Sequence, residues 1–386
     1  MLKEITRGIT TKAAVLHEMG LPRPYAQSKP LKIETLNISG PEPTSVLLKI
    51  RAASLCHSDL SVINKSRQRP MPMALGHEAA GEVIAVGANV PEDRVKVGDR
   101  VVLTFSPACG HCVPCASGRP ALCPKGAEAN GKGTLMDGSI RLSDQNGDTV
   151  YHHLGDSAFA THAVVSPDSI VKIPDWLDFK YGALFGCAVM TGVGAALNTA
   201  QVKVGDSVAV VGLGGVGLAA IMGAYAAGAK DIVAVDLSEA KLEFAKTVGA
   251  THTVNAKDPD AVEQVQKITG GGVHHAIETA GVIKALQSAV AMTRTGGATT
   301  TAGLPPGGAE LGVDIAKLVA QDRKLMGSYM GSAVPARDIP RYISLFQQGR
   351  LPVDKLLSQI IKLEEINEGF DRLADAQVIR QVILFD

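Results

Sequence analysis

Residues 207–217, SVAVVGLGGVG, constrain the fold of this chain more than any other segment. Residues 208–211 are typical of a buried parallel strand, and the apolar run that follows the glycines is long enough for a helix. Gly212, Gly214 and Gly217 match G-x-G-x-x-G, in which glycines permit a tight turn, close approach of a pyrophosphate and close helix–strand packing. The helix N-terminus would then offer N–H groups to the phosphates.

An acidic residue stands where such a site needs one. A second predicted strand, residues 231–235, ends at Asp236, about 20 residues after the last glycine, where an acid would bind ribose hydroxyls. The alternative is a glycine-rich turn that binds no ligand. Strand, turn, helix and acid in the required order favour a dinucleotide site.

Length and composition set the class of protein. The 386 residues suffice for two domains, and 46% hydrophobic with 20% charged residues indicate a globular chain. Since 38 basic residues balance 38 acidic ones, no net field favours nucleic acid or an anionic membrane. The N-terminal decapeptide has no apolar h-region, so we expect no secretory signal and a cytoplasmic protein.

Two uncharged stretches, residues 181–202 and 207–229, are long enough to span a bilayer. Both are rich in glycine and alanine, and the second contains the glycine turn, whose backbone groups would be unpaired in lipid. We therefore predict two buried core segments and no membrane partner.

Strand patterns divide the chain into two regions. Short β-rich runs occupy residues 1–55 and 79–103, whereas strands alternate with helices after residue 203, as in a doubly wound parallel sheet. Between them, residues 125–160 are predicted to form a polar surface excursion with hairpin character, and residues 378–385 an edge strand. The predicted strands of the parallel sheet are SVAVV, DIVAV, THTVN, HHAIE, ATTTAG and KLMGSY.

Four cysteines form a compact cluster with the spacing C-x2-C-x2-C-x7-C: Cys109, Cys112, Cys115 and Cys123. Four thiolates suit a closed, tetrahedral, structural zinc site. An iron–sulfur cluster can also be held by four cysteines, and four free thiols on a loop would be reactive. In a chain without a secretion signal, such clustering indicates metal before disulfide, and we favour zinc.

The two other cysteines, Cys56 and Cys187, lie far apart in the sequence, with His77 and Glu78 between them. A catalytic zinc needs about three protein ligands and an open position, and two thiolates with one imidazole would serve. Taken alone, each residue is more often a buried core thiol or a hydrogen-bonded histidine.

At these residues the chain resembles the zinc-dependent medium-chain alcohol dehydrogenases, specifically the liver-type branch, over essentially its whole length. The motifs that carry the resemblance are Cys56-His57-Ser58-Asp59, Gly76-His77-Glu78, the four-cysteine cluster, Gly186-Cys187, GLGGVG and INEGFD with VIR. The resemblance implies an α/β protein in which a Rossmann doubly wound parallel sheet domain, residues 189–328, is inserted into a GroES-like β-rich catalytic domain, residues 1–188 and 329–386.

The resemblance also implies a role for each site residue and two zinc ions per subunit. The implied ligands are Cys56, His77 and Cys187 for catalytic zinc, Glu78 as an alternate ligand, and Cys109, Cys112, Cys115 and Cys123 for structural zinc. Asp59 would hydrogen-bond the ligating histidine. Ser58 would accept the alcohol proton. Many relatives have a histidine at the position of Ser61 as the solvent end of this relay, so the proton exit route in this chain is not assigned.

The cofactor implied by the same matching is NAD, because the Asp236 carboxylate would repel the 2′-phosphate of NADP. The residues matched to cofactor contacts are Gly212, Gly214, Gly215, Val216, Gly217, Asp236, Lys241, His57, Thr191 and Arg380. Among them, His57 and Arg380 would approach the pyrophosphate, and Thr191 and Val216 the nicotinamide. Without a cofactor, Thr191 and Val216 would be ordinary packing residues.

Phe105 and Leu304 match pocket walls, which implies an apolar substrate end. Relatives that oxidise the glutathione adduct of formaldehyde carry an arginine near the position of Ala127, so we disfavour that substrate. The basic run with Lys65, Arg67 and Arg69 could attract an anionic substrate, but charge runs are more often solvated loops.

The resulting prediction is an NAD- and zinc-dependent dehydrogenase that acts on primary aliphatic or aryl alcohols and aldehydes. The alternatives are a polyol dehydrogenase or specialised aldehyde reductase of the same family, and a non-catalytic zinc- and NAD-binding redox sensor. The resemblance further implies a homodimer, with a homotetramer as the alternative, because the long excursion at residues 125–160 is typical of the dimeric branch.

Overall fold

The computed structural model describes residues 9–386, which form two compact units. Within the described residues, the first unit comprises residues 9–187, Val334–Ala336 and Leu357–Asp386, and the second comprises Ala188–Ala333 and Arg337–Leu356. Residues 1–8, where a secretory signal was sought, lie outside the described residues.

The second unit extends further along the chain than the Rossmann domain predicted at residues 189–328. The amide nitrogen of Asn198 donates hydrogen bonds to Asp338 Oδ2 (3.2 Å) and to the Tyr342 hydroxyl (3.3 Å). These contacts connect the helix at residues 335–347 to the rest of the second unit.

The strands of the described chain are β1 (Ile9–Leu16), β2 (Leu31–Ile38), β3 (Val46–Ser54), β4 (Met73–Ala74), β5 (Ala79–Val86), β6 (Arg100–Leu103), β7 (Leu142–Ser143), β8 (Thr149–His152), β9 (His162–Val165), β10 (Ile170–Lys172), β11 (Ser207–Val211), β12 (Asp231–Asp236), β13 (His252–Asn255), β14 (Val273–Glu278), β15 (Thr293–Thr301), β16 (Lys324–Gly327), β17 (Leu357–Ile361) and β18 (Arg380–Leu384).

The α-helices are α1 (Tyr25–Ser28), α2 (His57–Ile63), α3 (Val113–Ala116), α4 (Pro124–Lys132), α5 (Phe179–Gly182), α6 (Ala188–Gly194), α7 (Gly215–Ala226), α8 (Glu239–Thr247), α9 (Ala261–Ile268), α10 (Ile283–Met292), α11 (Ile315–Ala320), α12 (Pro335–Gln347) and α13 (Ile366–Ala374). Short 3-10 turns occupy Pro120–Leu122, Pro167–Ser169, Ala183–Gly186, Met330–Ser332, Val353–Leu356 and Leu363–Glu365, and a π-helical turn occupies Ala195–Thr199.

The second unit contains the predicted doubly wound sheet, with six parallel strands in the order β13-β12-β11-β14-β15-β16. The central strand β11 is buried along its whole length, because helices cover both faces of such a sheet. The strand order reverses between β11 and β14, and ligands of open parallel sheets bind beyond the carboxyl ends of the strands at this switch point. The glycine turn follows β11 there.

The first unit is β-rich, as predicted. Strands β1, β2, β7, β8 and β4 close into a barrel, and a second sheet has the order β10-β6-β5-β3-β18-β17, with β9 also paired to β3. Its largest core cluster joins residues from both chain ends, including Leu48, Phe159 and Phe370. The C-terminal segment therefore completes the core of the N-terminal region.

Two details of the sequence prediction are wrong. Strand β18 is not an edge strand, because it pairs with β3 on one side and β17 on the other. The excursion at residues 125–160 begins with helix α4, which ends at Gly133 in the left-handed conformation (φ 70°). Only its later part, β7 and β8, forms a hairpin. Alternation of residue types does not encode strand order, and the few apolar residues of α4 gave no periodic signal.

No single helix among residues 9–386 is both long and apolar enough to cross a membrane. One bent pair, Phe179–Gly186 with Ala188–Thr199, meets the criteria by length and composition alone. Most residues of this pair are buried in the protein.

His152 in β8 should make stability depend on pH. Its ring is 1% exposed, Nε2 accepts the Arg141 backbone N–H at 3.0 Å, and burial lowers its pKa from 6.5 to about 4. Between these pH values the imidazole is protonated in the unfolded chain but neutral in the folded chain. The free energy of unfolding should therefore fall as pH drops from about 6.5 towards 4, by up to about 3 kcal/mol.

The measurement is urea unfolding of the wild type and of His152→Gln between pH 7.5 and 5.5. Groups common to both proteins cancel in the difference between their midpoints. We expect the wild-type advantage to shrink as pH falls. A difference independent of pH would contradict the assignment.

Candidate metal centres and dinucleotide site

The four clustered cysteines meet in space. Their sulfur atoms lie within 4.8 Å of one another, with Cys112 Sγ and Cys115 Sγ 3.3 Å apart. Backbone N–H groups of His111 and Cys112 lower the pKa of Cys109 to about 6, and burial raises the pKa of Cys115 to about 12. Four converging sulfurs form a closed donor set, which fits the predicted structural zinc.

A second cluster brings together Cys56, His77, Glu78 and Cys187, whose ligand atoms also lie within 4.8 Å of one another. Cys56 ends the connection from β3 and caps α2, and Cys187 ends the 3-10 turn Ala183–Gly186. The two sulfurs are 4.0 Å apart, and each residue is at most 5% exposed. Three sequence segments far apart along the chain thus converge on one buried point.

The thiols and the imidazole are electrostatically coupled. A hydrogen bond from Cys187 lowers the pKa of Cys56 well below its usual value, whereas the same contact and burial raise the pKa of Cys187. Burial opposes the charged form of His77, but the charges of Asp59 and Cys56 outweigh it and raise its pKa.

Asp59 orients the histidine of this cluster. Its Oδ1 lies 3.0 Å from His77 Nδ1, and both side chains are fully buried. With Nδ1 held by the carboxylate, His77 Nε2 faces the cluster and has no hydrogen-bond partner among the described residues. A carboxylate that fixes the histidine tautomer in this way is the usual partner of a zinc-bound imidazole.

Glu78 and Arg380 form a buried ion pair beside the cluster. Arg380 Nε lies 3.5 Å from Glu78 Oε1, with side chains 3% and 0% exposed. Burial raises the pKa of Glu78 to about 8, although Arg380 opposes the shift. For Arg380, burial would lower the pKa, but the charges of Glu78 and Cys56 raise it. The structure therefore places Arg380 against Glu78; its predicted contact with a pyrophosphate stays a prediction.

These residues fit the metal that the sequence predicts. Two soft sulfur donors, an oriented imidazole nitrogen without a hydrogen-bond partner and a nearby carboxylate make a zinc donor set that leaves a coordination position for substrate. Without a metal, Glu78 would be a fully buried carboxyl group with neither oxygen hydrogen-bonded.

Phe105 lies beside the cluster, and its role as a pocket wall stays a prediction. Its ring centroid lies 5.6 Å from that of His77, at 88°. Ser58 is half-buried and His57 is exposed in the first turn of α2, directly after Cys56. Ser61 Oγ donates to the His57 carbonyl at 2.8 Å, so this hydroxyl is engaged with the helix backbone. The roles of Ser58 and His57 stay predictions.

The glycine turn has the geometry that its motif requires. Gly212 has φ 93°, which favours glycine, and a Cβ on Gly217 would lie 1.9 Å from the Gly212 carbonyl oxygen. Gly214 caps helix α7, which starts at Gly215. No side chain fills the approach to this N-terminus at Gly214, because a Cβ there would meet no atom within 4 Å. The turn can therefore accept an anionic group at the helix N-terminus.

Asp236 closes the other side of the turn. Its Oδ2 accepts the Leu213 N–H at 2.7 Å, and its Oδ1 accepts the Ser238 N–H at 3.0 Å. The carboxylate thus binds the glycine loop directly while it remains partly exposed. Lys241, in the first turn of α8, is also partly exposed. Asp236 has a structural task besides the predicted ribose contact.

Thr191 and Val216 belong to the packed helices α6 and α7. A Cβ on Gly192, next to Thr191, would lie 2.1 Å from the Val216 carbonyl oxygen, so the two backbones touch at this point. Leu304, the other predicted pocket residue, belongs to the second unit and is 56% exposed.

Sequence reasoning missed two residues near the first unit's cluster. His153 Nδ1 lies 3.1 Å from Asp59 Oδ1, burial lowers the pKa of His153, and Asp156 is fully buried. The dipeptide His152-His153 was the one available signal, but nothing in the sequence links it to Asp59. Lys65 is exposed, as expected for a solvated loop, while Arg67 and Arg69 are partly buried.

Comparison with known proteins gives consistent matches. Residues 42–175 match the family described as the alcohol dehydrogenase GroES-like domain, and residues 215–348 match the zinc-binding dehydrogenase family. An S-(hydroxymethyl)glutathione dehydrogenase of Synechocystis sp. is 37% identical over 97% of this chain and 99% of its own length. A class-3 alcohol dehydrogenase of Cereibacter sphaeroides is 34% identical over 97% and 100%. The crystal structure of benzyl alcohol dehydrogenase from Acinetobacter calcoaceticus superposes with a TM-score of 0.91 at 32% identity, covering 98% of this chain and 100% of that chain.

Replacement of Asp236 should relax cofactor selection. In Asp236→Asn the amide oxygen can still accept one loop N–H, but the negative charge that repels a 2′-phosphate is gone. We expect the ratio of kcat/KM with NADP to that with NAD to rise about tenfold, which corresponds to about 1.4 kcal/mol. Glu239→Gln is the matched control, because this neighbouring acid contacts Asn255 instead of the loop. If the ratio is unchanged in Asp236→Asn, the Asp236 carboxylate does not discriminate against the 2′-phosphate of NADP.

Proposed function

Because the chain belongs to the zinc-dependent medium-chain alcohol dehydrogenases, we propose that it transfers hydride reversibly between primary alcohols and NAD. Membership of this family makes it an NAD- and zinc-dependent oxidoreductase that acts on alcohols or aldehydes. The observation that carries the proposal is the buried set of Cys56, His77, Glu78 and Cys187, whose ligand atoms converge within 4.8 Å.

The bound groups supply the difficult chemistry: zinc is a Lewis acid that lowers the pKa of an alcohol hydroxyl, and NAD accepts the hydride. The protein supplies binding, orientation and proton transfer. Cys56, His77 and Cys187 would hold the metal, and Asp59 keeps Nε2 of His77 directed towards the cluster. Ser58 Oγ accepts the proton from the alcohol. Residue 61 is a serine where many relatives have a histidine. The proton must therefore pass from Ser58 to solvent without an imidazole at residue 61.

An aryl or aliphatic alcohol suits this site better than the glutathione adduct of formaldehyde. The Phe105 ring lies edge-on to His77 and gives the reacting end an apolar wall. The relative of similar structure is named for benzyl alcohol. Relatives in sequence are named for the glutathione adduct, but Ala127 in α4 provides no cation for a glutathione carboxylate.

We also propose that two copies associate through the second unit. Strand β16 lies at the edge of the six-stranded sheet, with β15 as its one partner in the described chain. Exposed apolar side chains surround this edge: Ile315 is 64% exposed, Val319 74% and Leu325 41%. A second copy of the same edge would pair the strand and cover these side chains, which removes the aggregation hazard of an open edge.

A cytoplasmic location is a further proposal. All six cysteines are unpaired and gather in two metal-type clusters. A reducing compartment keeps such thiols available for metal.

The oligomer proposal is tested by light scattering after size exclusion. We expect twice the chain mass for the wild type and the mass of one chain for Val319→Glu, because charge at the centre of the apolar surface opposes burial. Val97→Glu, which alters a residue 61% exposed in the first unit, is the control. A wild type at the mass of one chain would refute the dimer, and one at four chain masses would support the tetramer instead.

The function is tested by zinc analysis and by NADH absorbance. We expect two zinc ions per chain and turnover of benzyl alcohol and ethanol, with benzyl alcohol preferred. Cys187→Ser should lose alcohol oxidation and one zinc ion, whereas Cys115→Ser should lose the other ion.

The alternatives give different results in the same assay. Preference for a polyol or for S-(hydroxymethyl)glutathione would replace the proposed substrate class. Two zinc ions and NAD binding without turnover of any alcohol would favour a redox sensor and overturn the enzyme proposal.

A further inference from the structure

Asp59 is shared by two histidines. Its Oδ1 accepts the Gly76 backbone N–H at 3.2 Å and lies 3.0 Å from His77 Nδ1 and 3.1 Å from His153 Nδ1. Asp59 and His77 are fully buried, and His153 is 1% exposed. The contact with His153 is too bent to meet hydrogen-bond geometry, so His153 Nδ1 and Asp59 Oδ2 both have no hydrogen-bond partner among the described residues. The polar contacts of this carboxylate with Gly76, His77 and His153 are thus all made by Oδ1.

We propose that His153 is a positioning residue for the catalytic zinc: its Nδ1 lies against the Asp59 carboxylate and restrains it, and Asp59 in turn orients His77. The proposal rests on the proposed function, because it needs zinc at the cluster that contains His77. It extends that function to a residue that contacts neither the metal ligands' donor atoms nor the cysteines.

The backbone holds His153 in a fixed turn. The His153 N–H donates to Ser157 Oγ at 3.0 Å, and its carbonyl accepts N–H groups from Asp156 at 3.0 Å and Ser157 at 3.2 Å. Leu154 (φ 54°) and Ser157 (φ 48°) adopt the left-handed conformation, which costs non-glycine residues energy. These bonds and conformations fix the backbone position of His153. A side chain that only fills space would not need so constrained a turn.

The same segment is attached to the backbone next to His77. Ala158 N–H donates to the Gly76 carbonyl and Phe159 N–H to the Leu75 carbonyl, both at 3.0 Å. A Cβ on Gly76 would lie 2.2 Å from the Phe159 nitrogen, so glycine is needed for this approach. The two histidines are therefore carried by backbones in direct contact, and their spacing around Asp59 is set by the fold.

His77 is also enclosed by rings. The His153 ring lies edge-on to it at 5.6 Å and 85°, and Phe105 lies edge-on at 5.6 Å and 88°. These rings restrict how His77 can tilt, but only His153 also contacts the carboxylate that fixes its tautomer. Loss of the His153 N–H would leave Asp59 freer to rotate and His77 less well oriented. Partners of this kind typically change metal affinity 10- to 100-fold, and the bent contact points to the lower end of that range.

The test compares His153→Phe, which keeps an aromatic ring without a donor, with His153→Asn, whose amide N–H can replace Nδ1–H. His162→Phe is the matched control, because His162 is a half-buried histidine of the same unit that does not contact Asp59. The measurements are the rate of zinc release to a chromophoric chelator, the visible spectrum after cobalt replaces the catalytic zinc, and the thermal unfolding midpoint.

We expect His153→Phe to release one of the two zinc ions about tenfold faster and to shift the cobalt spectrum, while the other ion is released at the wild-type rate. His153→Asn should recover most of the retention, and His162→Phe should match the wild type. Unchanged release and spectrum in His153→Phe would refute the proposal. Faster release of both ions with a lowered midpoint, not recovered by asparagine, would show a structural role and also refute it.

Failure of the proposed function gives a different pattern. In that case the wild type itself would hold no zinc at the His77 cluster or would oxidise no alcohol. A wild type with two zinc ions and turnover, combined with unaltered His153→Phe, would leave the function standing and reject this inference alone.

Discussion

The structure of the first unit depends on the burial of ionisable groups around one point. Cys56, His77, Glu78 and Cys187 are all buried, and neither Glu78 oxygen has a hydrogen-bond partner among the described residues. Such a concentration of donors costs free energy unless a cation is bound. Arg380 supplies one fixed positive charge from the C-terminal strand, and zinc supplies the rest. Three distant chain segments and the C-terminal strand thus meet at this cluster.

The residues around the cluster orient the imidazole of His77. Asp59 fixes the tautomer of His77, so the free nitrogen faces the sulfurs. The turn that carries His153 is bonded to the backbone beside His77, so the carboxylate receives a second histidine. A metal site of this type is held as much by residues that never touch the ion as by its ligands.

In the second unit, a short sequence pattern predicted the glycine turn and the elements next to it. G-x-G-x-x-G after a buried strand predicted the turn, a helix after the glycines and the acid at Asp236, because Gly212 and Gly217 meet local steric requirements. In the structure the helix already starts at Gly215. The sequence did not reveal that Asp236 also accepts the Leu213 N–H, which ties the acid to the loop. That contact depends on the parallel pairing of β11 with β12, a tertiary fact.

The sequence by itself therefore predicted the four-cysteine cluster, the glycine loop, the acid Asp236 and the alternating strands and helices from short spacings and motifs. The cluster of Cys56, His77, Glu78 and Cys187 was predicted only through the resemblance to a known family. Tertiary structure alone decided that β18 is an interior strand, that residues 337–356 pack with the second unit, that Arg380 pairs with Glu78, and that His153 reaches Asp59. The physical reason is the separation along the sequence of the residues that interact. Motifs record steric and ligand requirements over a few residues, whereas these contacts join residues that strand order and core packing bring together from distant parts of the chain.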